Sequence, residues 1–532
     1  MGGLRVNDVI AFQAAWRHLV TIADECWTAT YRAAYSTIIG EALDVGCELL
    51  DAHGNSLAHA VRSIPVFNMI MPNTVRAVLA RYADRIEDGD VFVTNDPWLC
   101  AGHLPDVAVV TPIFLDGSLV AFAANVANLS DIGGNLNRPA NRELFDEGLQ
   151  IPVVKVRSRG ERLPEVWDLI LANVRTPEEV EGDLEAMTAA NRLAATRVLE
   201  FMRARGMLSL EELSTAICDQ SERAMRKVIA TLPDGVYDSE WTADGLRAPV
   251  RLKIRLEIRG SEIEVKFPDA PPQVEEGAFN CTLTYTTGHV NYALKCLIGP
   301  DIPTNEGCFK PINVSAPEGS VLNCRRPAAV DMRTRIGWQV HPLIFGAMSK
   351  VVGLQTPAGC GQPSLMSLDG AWLDGRRFQE HLILGAGMGA WSGGDGESNS
   401  TFPSSAASTS VEVIEQRSPV WVAARRLSRG SGGTGLHTGG EGEQARIGLR
   451  PGQGEWLRIV TALERMTVPP YGLEGAEPGA RSTLVVETGG SSQPTAERVV
   501  ELRDGDWLTM TTAGGGGFGS PAGSACAGPE EA

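Results

Sequence analysis

The amino-acid sequence predicts an α+β protein of several lobes, with mixed or antiparallel sheets, one helical segment and a β-rich C-terminal part. Apolar residues recur at three- and four-residue steps in some segments and alternate in others, and the last third is rich in glycine. A chain of 532 residues and 56.9 kDa is also too long for one core. We divide it into an N-terminal mixed lobe (1–150), a helical segment (151–235), a second mixed lobe (236–375) and a glycine-rich β lobe (376–532).

Three segments carry helix signals. The first runs from about Asp8 to Ala42, with large apolar residues on one face (Phe12, Trp16, Leu19, Ala23, Cys26). The second begins at 176–179, where Thr-Pro-Glu-Glu combines a capping residue with proline and a later glutamate, and ends before Gly206. A third begins near Ser209 and extends toward Ala230. The second helix has an apolar stripe that predicts packing (Leu184, Met187, Ala194, Val198, Phe201).

Strand signals occupy much of the remaining chain. Short apolar runs in the first lobe are bounded by Gly, Asp or Pro (Val91–Thr94, Val107–Val110, Leu119–Ala124). Residues 250–258 and 263–267 alternate apolar and charged side chains around Gly260-Ser261, which predicts a β-hairpin with one face in water. The glycine-rich lobe contains further strand-like runs (Ser410–Ile414, Leu457–Thr461, Ser482–Glu487, Trp507–Thr512).

Charge and composition exclude some classes of partner. The chain has 47 basic and 65 acidic residues, for a formal charge of −18, and no basic stripe that could neutralise phosphates. This balance argues against nucleic acid or an anionic membrane as a partner. The first residues lack the pattern of a secretory signal, no apolar run could cross a membrane, and ten cysteines are scattered without a CxxC pair. We therefore expect a cytoplasmic protein with reduced thiols.

The densest group of polar residues lies between residues 89 and 134. His103 and Asp106 stand three residues apart, and Pro105 imposes an extended turn that can aim the imidazole and the carboxylate at one point. Asp96 and Asp131 add carboxylates near the ends of predicted strands. A mixed nitrogen and oxygen set of this kind suits Mn²⁺, Zn²⁺ or Fe²⁺. The alternative is ordinary turn chemistry, because His-x-x-Asp pairs and Asn-Asp-Pro turns are common without any metal.

Other candidate sites have weaker signals. The glycines of 514–519 and of 431–435 could wrap a phosphate with backbone amides, but they lack the lysine and Ser/Thr of a phosphate-binding loop. No GxSxG motif is present, so the sequence gives no local signature of serine hydrolase chemistry. Six further histidines are isolated in the sequence, and each is expected to be an ordinary core or surface residue (His53, His59, His289, His341, His381, His437).

Several ordered blocks of the sequence resemble the hydantoinase B / oxoprolinase family, which includes the corresponding subunits of acetone and acetophenone carboxylases. The blocks are GDVFVTNDPW, GHLPDVAVVTPIF, DIGG, DEGLQIPVVKV, LILANVRTPEEVEGDLEAMTAAN, DIPTNEGCFKPINVSAPEGSVLNCRRPAAV, SVEVIEQRSP and AGGGGFGSP. They extend from about Val6 to Pro521, and together they are specific although each alone is weak.

The resemblance implies a B-type subunit that works with a hydantoinase A-like partner, which carries the ATP site. ATP would phosphorylate the carbonyl oxygen of a lactam or ketone, and the activated species would then be hydrolysed or carboxylated, with bicarbonate as a second substrate in the latter case. A divalent metal (Zn, Mn or Fe) would be held by His103, Asp106 and a third residue at position 128. That residue is Asn128 here and histidine in the family pattern, and an amide is a poor ligand for such metals.

Two hypotheses follow from this resemblance. In the first, the region of His103 binds a metal or a polarised carbonyl, and Asp96 or Asp131 orients a water molecule or takes its proton. In the second, the chain is a non-catalytic scaffold that stabilises its A-type partner and shapes the partner's pocket, which Asn128 favours. A metal-dependent amidohydrolase barrel fits poorly, because such barrels need several closely spaced metal-binding histidines, and the eight histidines here are scattered.

Overall fold

A seven-stranded antiparallel sheet forms the N-terminal part of the structure, a computed structural model that describes residues 9–520 apart from the side chains of Asn68, Met69 and Leu354. Its strands are β1 (Val45–Asp51), β2 (Ser56–His59), β3 (Val91–Thr94), β4 (Asp106–Leu115), β5 (Ser118–Asn128), β6 (Val154–Ser158) and β7 (Glu161–Arg162). Their spatial order is β2-β1-β5-β4-β3-β6-β7. The strand predicted at 91–94 is β3, and the next two predicted strands lie within β4 and β5.

Helices pack against this sheet and against one another. They are α1 (Val9–Ala33), α2 (Thr37–Gly40), α3 (Met71–Tyr82), α4 (Leu144–Glu147), α5 (Pro164–Leu171), α6 (Pro177–Ala204) and α7 (Glu211–Ile229). Asn191 of α6 donates to the Val109 carbonyl of β4 at 3.0 Å, and Asn125 of β5 donates to the Met187 carbonyl of α6 at 2.9 Å. The apolar stripe predicted on α6 is fully buried, which confirms its packing role.

The first predicted helix ends earlier than the sequence indicated. It stops at Ala33 instead of Ala42, and α2 follows as a separate short helix. The break occurs because the backbone amides of Tyr35 and Ser36 donate to the Asp183 carboxylate of α6, at 2.7 and 3.1 Å, instead of continuing the helical ladder. The predicted start at Asp8 lies outside the described residues.

The second helix has its predicted span but lacks its predicted cap. Gly206 follows α6 with φ of +63°, the left-handed stop that was expected. Thr176 makes no side-chain bond to the helix; its hydroxyl lies 3.4 Å from the Ser130 hydroxyl. The capping box fails because Glu179 is also engaged by Ser130, at 3.1 Å, and cannot fold back onto the helix start. Ser209 does accept a bond from the Glu211 amide at 3.1 Å, at the start of α7.

A second sheet of four strands follows, made of β8 (Gly235–Ala243), β9 (Val250–Arg259), β10 (Glu262–Lys266) and β11 (Ile312–Ser315). The hairpin predicted around residue 260 is the antiparallel pair β9–β10, whereas β11 joins β10 in parallel. The inward side chains of β9 are buried and the charged ones face water, as the alternation predicted. Four helices accompany the sheet: α8 (Leu283–Ile298), α9 (Glu306–Phe309), α10 (Thr334–Gly337) and α11 (Val340–Val352).

Two antiparallel sheets form the C-terminal part, and their apolar faces share a second core. One has the order β13-β12-β16-β19 and the other β14-β15-β20-β17-β18. The strands are β12 (Ser364–Trp372), β13 (Arg377–Leu384), β14 (Val420–Leu427), β15 (Glu443–Leu449), β16 (Gly454–Thr461), β17 (Thr483–Thr488), β18 (Ser491–Pro494), β19 (Val499–Leu502) and β20 (Trp507–Thr511). With the first two sheets and their helices, this arrangement confirms the α+β prediction.

One strand prediction in this part is wrong. Residues 410–414 were expected to form a strand, but Val411–Arg417 is a short helix, α12. The Ile414 amide bonds to the Ser410 carbonyl at 3.2 Å and the Ser418 amide to the Ile414 carbonyl at 3.0 Å, which closes helical turns. Alternating Val and Glu residues therefore gave a false strand signal in a segment too short to separate the two periods. The other three predicted strands of this lobe correspond to β16, β17 and β20.

Glycine-rich segments meet beside these sheets in a structure that we call the glycine bundle (residues 358–361, 385–396, 431–440, 470–480 and 513–519). Their backbones hydrogen-bond to one another directly: the Gly515 amide donates to the Gly440 carbonyl at 2.8 Å, and the Gly433 amide donates to the Gly515 carbonyl at 2.8 Å. A Cβ atom on Gly515 would lie 1.8 Å from the Met388 carbonyl oxygen. The approach is so close that only glycine fits.

The glycine bundle also explains why these segments do not form a phosphate cradle. The amides of residues 514–519 all bond to backbone carbonyls, namely those of Ala480, Gly440, Gly359, Glu477, His437 and Leu473. A phosphate-binding loop instead needs several amides free to point at the ligand.

The cysteines and helices bear on two further expectations. Nine cysteines are free thiols in the described range, and Cys526 lies outside it. Across residues 9–520, no helix combines the length and apolarity that crossing a bilayer requires.

A buried carboxylate in β1 predicts how stability depends on pH. Glu48 is buried, neither of its carboxylate oxygens has a hydrogen-bond partner within the described residues, and burial raises its pKa to about 8. The folded state therefore binds a proton that the unfolded state releases between roughly pH 4.5 and 8. Stability is lost as pH rises through this window. Glu48→Gln should remove that loss, on the order of 3 kcal/mol between pH 5 and 8.

Urea unfolding of the wild type and of Glu48→Gln at pH 5, 6.5 and 8 measures this effect. The exposed Glu178 of α6 offers a matched control, because Glu178→Gln removes an acid from the surface. Parallel pH profiles for the wild type and Glu48→Gln would contradict the assignment.

Candidate functional site

The predicted residues His103, Asp106 and Asn128 meet at one end of the first sheet. Asp106 begins β4 and Asn128 ends β5, and the two residues are direct partners across the antiparallel pair, so their side chains share a face. His103 lies in the turn that leads into β4. All three side chains are buried, with exposed fractions of 4% for His103, 0% for Asp106 and 5% for Asn128. The spacing argument therefore placed the first two residues correctly next to each other.

The imidazole of His103 lies between two carboxylates. Its Nε2 is 2.9 Å from Asp106 Oδ1, and its Nδ1 is 3.2 Å from Asp331 Oδ1. Asn128 Nδ2 donates to Asp106 Oδ1 at 3.1 Å and lies 3.2 Å from His103 Nε2. Both ring nitrogens therefore have polar neighbours, and the tautomer decides which of them donates.

An arginine from far along the chain completes the group. Arg333 donates from Nη2 to Asp106 Oδ2 at 2.7 Å and from Nε to the Ala101 carbonyl at 2.9 Å. Its guanidinium lies over the Tyr285 ring, 4.5 Å from the centroid. We call His103, Asp106, Asn128, Asp331 and Arg333 the His103 cluster.

Further charged groups surround the His103 cluster. Arg138 Nε is 3.3 Å from Asp331 Oδ2. Burial alone would raise the pKa of Asp331, but the charges of Arg138 and His103 lower it below its ordinary value. Glu147 accepts the backbone amides of Val330 and Asp331 at 2.6 and 2.7 Å, and burial together with the Asp331 carboxylate raises the pKa of Glu147 well above its usual range.

Asp44 lies just before β1, the strand that neighbours β5. Burial and the charge of Asp106 raise its pKa to about 7, against the opposing charges of His103 and Arg333. Its backbone carbonyl accepts the Asn128 amide at 3.2 Å, which ties the end of β5 to the residue before β1. Asp44 therefore brings one more carboxyl group toward the His103 cluster.

The C-terminal part contributes two unpaired polar side chains on the same side. Asp369 of β12 and His381 of β13 are buried, and among the described residues neither Asp369 oxygen nor His381 Nδ1 has a hydrogen-bond partner. Burial raises the pKa of Asp369 to about 6, and the charges of Arg138 and Arg175 oppose this. Burial, reinforced by the charge of Arg138, lowers the pKa of His381 to about 3.

The two predicted catalytic carboxylates, Asp131 and Asp96, make their hydrogen bonds to residues outside the His103 cluster. Asp131 is buried, accepts from Arg175 Nη1 at 2.9 Å and accepts the Gly133 amide at 3.0 Å. Asp96 is partly exposed, pairs with Arg326 and accepts the Trp98 amide at 3.0 Å. Both carboxylates are thus engaged by an arginine and a turn amide.

Sequence reasoning missed Arg333, Asp331, Asp44, Asp369 and His381. The first two are separated from His103 by more than two hundred positions, so spacing could not connect them. One signal was available: charged residues interrupt an apolar block at 328–338, which reads AAVDMRTRIGW. Charges inside an otherwise apolar run need partners when the run is buried.

The side chains of the His103 cluster do not fit a divalent cation as they are arranged. In residues 9–520 no group of three or more His, Cys, Asp or Glu side chains is placed to hold a metal. The Asn128 amide nitrogen points at both neighbouring ligand atoms, and Arg333 sets a fixed positive charge on the second Asp106 oxygen. A cation here would have to compete with that guanidinium. We therefore derive no reaction step through a metal.

Metal content provides a direct check on the third ligand position. Asn128→His supplies a second imidazole beside His103 and Asp106, so this variant should bind close to one Zn²⁺ or Mn²⁺ per chain, whereas the wild type should bind much less. Elemental analysis after dialysis against either metal measures this, and Asn135→His, at an exposed position, is the control. A wild-type protein that already carries one ion per chain would contradict the interpretation.

This chain belongs to the hydantoinase B/oxoprolinase family, whose sequence pattern matches residues 8–521. It is 27% identical to the B subunit of a putative D-/L-hydantoinase of Pseudomonas sp. (strain NS671), over 97% of this chain and 91% of that protein. It is 28% identical to 5-oxoprolinase 1 of Arabidopsis thaliana, over 97% of this chain but 42% of that protein.

Two solved structures share the fold. The ATP-dependent caprolactamase from Pseudomonas jessenii superposes with a TM-score of 0.87 at 23% identity, covering 96% of this chain and 91% of that chain. The nucleotide-free structure of acetone carboxylase superposes with a TM-score of 0.86 at 16% identity, covering 97% and 76%. At these identities the likeness establishes the architecture.

Proposed function

We propose that this chain is a B-type subunit of an ATP-dependent hetero-oligomeric enzyme that acts on a lactam, hydantoin or ketone carbonyl. Coverage of the relatives supports a separate partner: the chain matches 91% of the hydantoinase relative, whereas it matches only 42% of a 5-oxoprolinase. We assign ATP binding and phosphorylation of the carbonyl oxygen to a hydantoinase A-like partner, which corresponds to the unmatched part of the oxoprolinase.

The observation that carries a catalytic role is His103, held between Asp106 and Asp331 with Arg333 alongside. Two carboxylates fix the orientation of the ring, so His103 is positioned to pass a proton at Nε2 or Nδ1. Arg333 and Asn128 provide N–H donors beside it, which can stabilise negative charge on a carbonyl oxygen or on its phosphorylated form. Burial of these side chains strengthens their interactions.

For Asp131 and Asp96 we propose supporting roles at the edge of this site. Asp131 pairs with Arg175, and the charges of both residues act on the pKa of Asp369 in β12. Asp131 would therefore influence the protonation of Asp369. Asp96 holds Arg326, whose guanidinium covers the Trp98 ring at 4.3 Å. Either carboxylate would act as a proton acceptor only after release from its arginine.

A second candidate function, a non-catalytic scaffold for the A-type partner, rests on Asn128. Its amide, together with Arg333, satisfies Asp106 without a metal or substrate. In that case the chain would stabilise the partner and shape its pocket, and substituting His103 would leave substrate turnover unchanged.

Co-expression with a hydantoinase A-like protein from the same organism tests the proposal. We expect a stable complex that hydrolyses ATP only when a lactam, hydantoin or ketone is present. If product forms only when bicarbonate is present, the enzyme is a carboxylase. If product forms without bicarbonate, the enzyme is a hydrolase. The proposal would be overturned if no compound of these classes changed the rate of ATP hydrolysis by the complex.

A further inference from the structure

A narrow pocket lies between α11 and three loops of the C-terminal part, away from the residues of the His103 cluster. Aromatic rings supply part of its walls, and its free volume is about 20 Å³, which is room for a small molecule only. We call this pocket the Arg465 slot. The wall residues that matter below are Trp338, Phe402, Tyr471, Cys360 and Arg465.

Arg465 brings an unpaired charge to this slot. Its exposed fraction is 3%, and its Nε and Nη1 have no hydrogen-bond partner within residues 9–520. The guanidinium lies over the Trp241 ring, 4.4 Å from the centroid. A buried arginine normally pairs with a carboxylate, because leaving its charge unpaired costs several kcal/mol.

Two acids act on Arg465 through their charges but form no ion pair with it within residues 9–520. Glu464 accepts from Arg335 Nε at 2.6 Å, and its Oε2 has no hydrogen-bond partner among the described residues. Asp244 accepts the backbone amides of residues 466, 467 and 468 at 2.6, 3.1 and 2.8 Å. Neither carboxylate therefore neutralises Arg465 by direct contact.

Two further features show that the position of Arg465 is costly to maintain. Its backbone has φ of +67°, a left-handed conformation that residues with a Cβ rarely adopt. Burial also lowers its pKa, so the surroundings disfavour its charge. Among the residues that line the slot, Arg465 is the one permanently charged side chain, and no carboxylate is present.

We propose that the Arg465 slot binds a small planar carboxylate-type anion, with the guanidinium fork facing its two oxygens and the aromatic walls covering its flat faces. The planar fork of arginine matches a carboxylate in two parallel hydrogen bonds. A bound anion would satisfy the nitrogens that lack partners and would neutralise the buried charge. This inference does not depend on the proposed function, because it concerns other residues.

Calorimetric titration of the wild-type protein with sodium formate, bicarbonate, acetate and benzoate, and with sulfate as a tetrahedral comparison, at constant ionic strength in chloride, tests the proposal. We expect saturable binding of at least one carboxylate-type anion with a Kd on the order of 1 mM, given that one charged pair and a small apolar contact carry it. The largest anion that still binds gives the size of molecule that the slot accepts. Absence of binding by all four anions, or equal affinity for tetrahedral sulfate, overturns the proposal.

Arg465→Gln should weaken binding at least tenfold. Arg446→Gln is the matched control, because Arg446 also lies over a tryptophan, Trp507, at 4.2 Å, but pairs with Glu487 away from the slot. Undiminished affinity in Arg465→Gln contradicts the proposal.

Cys360 provides a readout that needs no variant. It lines the slot and is partly accessible, whereas the exposed Cys296 lies elsewhere. A saturating anion should slow alkylation of the Cys360 thiol at least fivefold and leave Cys296 unchanged, as followed by peptide mass spectrometry. Equal rates with and without an anion that binds by calorimetry would place that anion outside the slot.

Discussion

Gly515→Ala is expected to unfold the C-terminal part under conditions in which the wild type is folded. The new Cβ would lie 1.8 Å from the Met388 carbonyl oxygen and 2.2 Å from its carbonyl carbon. Both atoms are backbone in the middle of the glycine bundle, so neither can rotate away as a side chain would. Separation of the segments would break the Gly515 amide bond to Gly440 and the Gly433 amide bond to Gly515. We expect a loss of more than about 4 kcal/mol.

Gly394→Ala is the control for Gly515→Ala. An added Cβ on Gly394 has Trp391 Nε1 as its nearest neighbour, at 3.9 Å, so this change should cost less than about 1 kcal/mol. Differential scanning calorimetry of both variants gives the comparison. Similar unfolding temperatures for wild type and Gly515→Ala would show that the segments can separate without loss, which contradicts the close packing of the glycine bundle.

His103→Ala should reduce substrate turnover by the assembled complex by roughly 10²- to 10⁴-fold, the usual contribution of a positioned acid–base group. The fold should survive, because each acid that loses the imidazole keeps an arginine. Asp106 keeps Arg333, and Asp331 keeps Arg138. Loss of activity with an unchanged circular dichroism spectrum would therefore reflect chemistry.

His53→Ala controls for the removal of a histidine. His53 is 63% exposed and lies 3.8 Å from Glu211, at the surface. Turnover and complex formation should match the wild type in His53→Ala. If His103→Ala also retains full turnover, the catalytic role of His103 is excluded and the scaffold function gains support.

Local sequence patterns predicted the elements whose signals are complete within one segment. The strand at 91–94 and the hairpin at 250–267 were confirmed because alternation and turn residues coincide there. The end of α1 could not be predicted, because the residue that stops it, Asp183, belongs to α6. The failure at Ser410–Ile414 has another cause, since a run of five residues cannot separate a helical from an alternating period.

The candidate site shows the same division between local and distant information. The spacing of His103 and Asp106 identified a pair that does meet, at 2.9 Å. Asp331, which contacts the other ring nitrogen, and Arg333, which pairs with Asp106, come from the segment just before α10. Only tertiary packing brings that segment to the first sheet. No pattern in a single sequence records such a meeting.

The glycine bundle has a consequence for how stability varies with temperature. Unfolding it exposes many amide and carbonyl groups for each apolar side chain, and hydration of polar groups lowers the heat capacity that apolar groups raise. This region should therefore contribute little to the heat-capacity increment of unfolding. Its stability curve should be flat, so that it withstands cooling better than the sandwich core beside it, whose cohesion weakens toward low temperature.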